Sequence, residues 1–124
     1  MIKKEITICG KQVTLAYCFA TEISYKVISD EEITDFVQET VKSVQDGRMP
    51  NTRKSIFAIL AAASAYYESI NKESPITDKE LMFDSTSTEL ATAIGTVIAL
   101  RAEFYHVPKD EQEEEQKEND QKNA

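Results

Sequence analysis

Few side chains in this sequence carry reactive chemistry, and their spacing argues against a catalytic site. The only histidine, His106, follows Tyr105. It falls at the end of a predicted helix, where a cation complements the helix dipole. No second histidine or nearby cysteine completes a nucleophile–base pair. Cys9 and Cys18 are the only thiols, and neither lies in a CxxC pattern, so no zinc or redox motif is present. Asp30, Glu31, Glu32 and Asp35 form an acidic cluster. It lacks the glycine and ligand spacing of a calcium loop, and acids in a first helical turn stabilise a helix N-terminus. The glycines, Gly10, Gly47 and Gly95, are too far apart for a phosphate-cradling loop. The expectation is a protein that is not an enzyme and has no catalytic residues, metal or cofactor.

The elements that would position any site come from a chain of 124 residues, one domain by length, with 41% hydrophobic and 29% charged residues. Asp and Glu total 22 against 14 Lys and Arg, for a net charge of -8. Such a surface repels phosphate, which argues against nucleic acid and anionic membrane as partners. Half of that excess lies in 109–124, with seven acids, three lysines and no apolar residue before Ala124. This segment reads as a solvated, disordered acidic tail following a single domain over 1–108. Met1-Ile2-Lys3-Lys4-Glu5 has no apolar run after its lysines, unlike a signal peptide. The longest uncharged stretch, 55–67, is 13 residues, short of the roughly 18 to 20 that cross a bilayer. A cytoplasmic location is expected.

Residues 4–9 and 12–18 alternate in the strand period. Gly10-Lys11 between them suits a type II′ turn, which would pair Ile8 with Val13, Ile6 with Leu15 and Thr7 with Thr14. Cys9 would face Gln12 and Cys18 would face Lys3, so the thiols would not meet. Ile6, Ile8, Val13 and Leu15 share one face and must lie on helices, because a lone hairpin is marginal in water. The open edge is available to another subunit.

The remainder is helical. A short helix over 21–28 would bury Ile23, Val27 and Phe19. Ser29 with Glu32 reads as a capping box for a helix whose stripe is Ile33, Phe36, Val37, Val41 and Val44, stopped by Gly47. Thr52 would cap a helix running to about Lys72 with apolar residues on two faces, as a central helix has, or a helix with one face reserved for a partner. Thr77 with Glu80 opens a short helical turn, and Thr86 with Glu89 opens the last helix, which runs to about His106 with Pro108 as its stop. Ile94, Val97, Ile98 and Tyr105 form its apolar side. Ala91, Gly95, Ala99 and Ala102 form a small-residue stripe suited to close packing inside the same domain. The expected fold is mainly α: four to five helices with an N-terminal β-hairpin.

The stretch Glu5-Ile6-Thr7-Ile8-Cys9-Gly10-Lys11-Gln12-Val13-Thr14-Leu15-Ala16-Tyr17, running directly into Cys18-Phe19-Ala20-Thr21-Glu22-Ile23, resembles the tail assembly chaperones of long-tailed bacteriophages and prophages. The helical remainder and acidic end fit the same outline, so the likeness spans 2 to about 107. The resemblance implies a non-catalytic helper that coats the apolar tape-measure protein while tail tube protein polymerises around it, often as a homo-oligomer. Such a helper needs apolar helix faces for its client and a repulsive polar remainder. Phe57, Tyr66, Tyr67, Ile94 and Ile98 are the partner-binding candidates, and each reads equally as core. Family members often gain a C-terminal domain by -1 frameshifting, and codons for Gln121-Lys122-Asn123 can spell a slippery run of A. The alternative reading is a generic helical protein-interaction adaptor or a phage regulatory protein.

Overall fold

The computed structural model describes residues 1–106. The proposed acidic tail and the Pro108 stop lie outside the described residues. Strands β1 (Ile2–Ile8) and β2 (Lys11–Tyr17) form an antiparallel hairpin. Five helices follow: α1 (Phe19–Ser29), α2 (Ile33–Gln45), α3 (Thr52–Ser69), α4 (Asp78–Asp84) and α5 (Ser87–Phe104). The fold is mainly α with an N-terminal hairpin, as the sequence patterns indicate.

The hairpin register differs from the expected one by two residues. Ile8 pairs with Lys11, Ile6 with Val13 and Thr7 with Gln12. The turn residues are therefore Cys9 and Gly10, with φ of 53° and 71°. Positive φ at both central positions is the type I′ turn, whose twist matches that of the flanking strands. A shift of two preserves the faces, so Ile8, Val13 and Leu15 are still buried together. Both cysteines remain free thiols. Alanine at Gly10 would meet nothing within 4 Å, so its penalty is conformational alone. Gly10→Ala is expected to lower unfolding free energy by about 1 kcal/mol in urea melts, and an unchanged midpoint would contradict this turn.

Two clips fasten the turn to the helices. Lys11 Nζ lies 2.6 Å from Glu80 Oε2 and donates to Pro75 O at 3.0 Å. The Thr86 N–H donates to Glu89 Oε1 and the Cys9 N–H to Glu89 Oε2, both at 2.9 Å. These backbone N–H groups, that of Thr86 foremost, hold the Glu89 carboxyl below its usual range. A folded-state value below the unfolded one stabilises the fold fully above the unfolded value, near pH ~4.3, and the contribution is lost as pH falls through the folded value. Glu89→Gln should therefore flatten the acid limb of a melting-temperature profile. Superimposable profiles for the variant and the parent would contradict the clip.

Helix α3 is the central element, packed by α1, β2, α4 and α5. Ala58, Ala61, Ala62 and Ala65 are buried along it, and their small side chains let neighbours approach closely. The outer edge of β2 is not open at Thr14 and Ala16. The Thr14 N–H donates to Tyr67 Oη at 3.1 Å, and Thr21 Oγ1 donates to Ala16 O at 2.8 Å.

The caps divide. Thr86 and Glu89 form the full reciprocal box. Thr77 accepts from the Glu80 N–H at 3.2 Å. Asn51, rather than Thr52, caps α3 by accepting from the Lys54 N–H at 3.0 Å. Ser29 caps nothing. It is the last residue of α1, its hydroxyl donates back to Tyr25 O at 2.7 Å, and Glu32 takes the N-cap position of α2.

The largest departure is the orientation of α1. Thr21 and Tyr25 face the core, whereas Phe19, Ile23 and Val27 are 64%, 65% and 78% exposed. Residues two apart on a helix lie about 200° apart, so burying the 21/25 side turns the 19/23/27 side to solvent. Tyr25 suits the interior because it brings a ring to Phe36 (centroids 5.5 Å) and a hydroxyl that donates to Glu31 Oε2 at 2.7 Å. On α2, burial follows Ile33, Phe36, Val37 and Thr40 and then stops, leaving Val41 and Val44 exposed.

Candidate functional site

Val44, in the second half of α2, faces a gap. A groove of about 390 Å³ lies between α2, the 46–51 connector and α5. Val44 and Met49 form one wall, Thr52 and Ser55 of α3 the base, and Leu90, Ala91, Ile94, Gly95 and Ile98 the far wall. Helix α2 ends in a Schellman motif, with the Gly47 N–H bonded to Val44 O and the Arg48 N–H to Ser43 O. Gly47, at φ 72°, supplies the left-handed residue that turns the connector back over the groove toward α3.

Two of the five sequence candidates meet here. Ile94 is buried at the bottom and Ile98 half-buried beside it. The other three lie elsewhere on α3. Phe57 packs against the core with the Arg53 guanidinium 5.0 Å over its ring. Tyr66 and Tyr67 stack edge to face at 4.9 Å, with Lys3 Nζ over Tyr66 and the Tyr67 hydroxyl engaged by Thr14. The sequence reading missed Val44, Met49 and Leu90. Its one available signal was Met49, an apolar side chain isolated in a polar connector and 72% exposed.

The small-residue stripe does not pack within the domain. Ala91, Gly95, Ala99 and Ala102 are exposed, and the Cβ position of Gly95 is open space. No helix among the described residues covers them, because α5 uses Ala93, Ile94, Val97 and Leu100 to meet the core.

The groove is lined mainly by apolar and small side chains, and the one charged lining residue among the described residues, Arg48, bonds Asp46 Oδ2 at 3.0 Å. The strongly shifted titratable groups lie away from the groove. Burial and the Glu22 carboxylate push the Tyr17 phenol far above its ordinary range. Glu22 Oε2 accepts from Tyr17 at 2.8 Å and from Tyr105 at 2.6 Å, tying β2, α1 and the end of α5 together. Tyr25 is likewise raised, by burial and by its bond to Glu31. Two of the four acids in the cluster form ion pairs: Glu31 meets Lys54 of α3 at 3.2 Å and Glu32 meets Lys26 of α1 at 3.4 Å. Among the described residues, no group of three or more potential ligands is placed to hold a metal, and no helix is long and apolar enough to cross a membrane.

A second apolar surface is the α1 ridge. Phe19, Ile23 and Val27 stand along it, flanked by Glu22, Lys26 and Glu32. Its base is braced where Phe19 meets the Phe104 ring edge to face at 5.2 Å.

No protein-family model, curated protein or solved structure matches this chain.

Proposed function

We propose that this protein is a non-catalytic tail assembly chaperone of a long-tailed phage or prophage, and that its groove holds an apolar helix of the tape-measure protein during assembly. The observation that carries the reading is the groove itself: an apolar trough walled by small residues on one helix and by exposed Val44 and Met49 on the other side. Small residues admit a helix backbone closely, and each apolar side chain buried there contributes roughly 1.5–3 kcal/mol. The chain's net charge of -8, half of it in 109–124, would keep loaded complexes apart in the host cytoplasm. The resemblance in the hairpin and first helix supplies the identity of the client.

Co-expression tests this. The client is the product of a very long reading frame immediately downstream of this gene. Its soluble fraction should rise when this protein is present. Unchanged solubility, or no such frame, would overturn the proposal. An adaptor for some other protein would share the groove but not that neighbour.

Self-association belongs to the same proposal. The ridge on α1 and the groove beside α5 are different surfaces, so copies joined ridge to ridge would pair about a two-fold axis and leave each groove open to the client. Ile23→Asp with Val27→Asp should then convert oligomers to monomers in light scattering after gel filtration, with the far-UV circular dichroism of the fold unchanged, since both side chains are largely exposed. A parent protein already monomeric at high concentration would contradict it.

A further inference from the structure

We infer that residues 41–50, the second half of α2 and its connector, form a movable wall that sets the width of the groove. Anchoring of α2 is confined to its first half. Ile33, Phe36, Val37 and Thr40 are buried, while Val41, Val44 and Met49 are 41%, 61% and 72% exposed. Polar tethers to other elements stop at the same place. Thr34 accepts from Arg101 at 3.1 Å and Glu39 accepts from Lys54 at 2.9 Å. Beyond Glu39, through Pro50, no hydrogen bond or ion pair joins this stretch to another element among the described residues; Arg48 pairs only with neighbouring Asp46.

The stretch is nevertheless well formed internally. Its helical bonds run to the Schellman closure at Ser43 and Val44. A segment that is regular inside but held by few outside contacts moves as a unit at little cost. The space it would move into or away from is the unfilled groove, whose opposite wall carries open space at Gly95. Phe36–Thr40 is the last well-packed turn of an unbroken helix, so the motion is a gentle bend beyond Thr40 with the helical bonds kept. That bend changes the distance from Val44 and Met49 to Leu90 and Ala91 while leaving the core closed. The groove thereby fits helices of different girth, as a sheath for a long client with varied side chains requires. This deepens the chaperone reading and rests on it for that use.

The motion has its own test, on the full-length protein. A ketone-bearing amino acid at exposed Gln45 and Thr92 carries two nitroxides, and a reference pair is placed at Asp35 and Thr92. Electron–electron dipolar spectroscopy should give a broader distance distribution for the 45/92 pair than for the 35/92 pair, with the backbone amides of 41–45 still protected from hydrogen exchange. Equal, narrow distributions would overturn the movable wall. A broad distribution with unprotected amides would also overturn it, because the helix end would then be unravelling rather than bending. Either result leaves the co-expression test standing, and failed co-expression leaves the distance measurement standing.

Discussion

Phe36→Ala will remove about 3–5 kcal/mol of folding free energy. Phe36 is 1% exposed and is the side chain that joins α2 to the Tyr25 ring on α1. Truncating it deletes the buried ring and leaves a void that rigid neighbours fill only in part. Against a total of roughly 5–15 kcal/mol for a domain of this size, the variant sits near the edge of folding. Urea denaturation followed by far-UV circular dichroism measures this directly. Val44→Ala, one turn beyond the last buried residue and 61% exposed, should change stability by less than about 0.5 kcal/mol. A small loss at Phe36, or a large one at Val44, would mean that α2 is not anchored at its first half.

Gly95→Leu will block the groove without harming the fold. The backbone at Gly95 is helical and its Cβ direction is empty. The substitution therefore gains helix propensity, about 0.5–1 kcal/mol, while its side chain occupies space the client would need. Client affinity should fall about tenfold or more, equivalent to ~1.4 kcal/mol, as the melting temperature holds or rises. That opposition separates occupancy of the groove from general damage. Unchanged client binding by a folded Gly95→Leu protein would place the client elsewhere.

The sequence discloses which sides of these helices are apolar but not which of them find a neighbour. The α3 pattern, apolar on two faces, correctly marks a helix surrounded by others. The α1 pattern misleads because Phe19, Ile23 and Val27 look like a core stripe. The interior instead takes Thr21 and Tyr25, whose hydroxyls satisfy Ala16 O and Glu31. A polar-tipped ring is a better bridge there than an aliphatic chain, and periodicity alone does not weigh such bonds. The hairpin faces are legible, whereas its turn is not. Positive φ at Cys9 is tolerated because its N–H gains Glu89, a contact 80 positions away in the chain.

The groove was half legible for the same reason. Ile94 and Ile98 stand out as apolar positions on the last helix. Their partners are Val44, from a helix stripe that reads as core-facing, and Met49, from the connector after it. The stripe of Ala91, Gly95, Ala99 and Ala102 suggests a close neighbour, and among the described residues none takes that place. Unfilled complementarity between two helices is a tertiary property, and it becomes visible only when both are in place.

Photocrosslinking from the groove tests the central claim most directly. A benzophenone amino acid at Met49 or Leu90, with a control at exposed Glu68 on the far end of α3, is irradiated in cells that also express the tape-measure protein proposed as client. The account predicts adducts from Met49 and Leu90 that map to apolar helices of that protein, and none from Glu68. Adducts from Glu68 alone, or none from either groove position while the two proteins still co-purify, would contradict it.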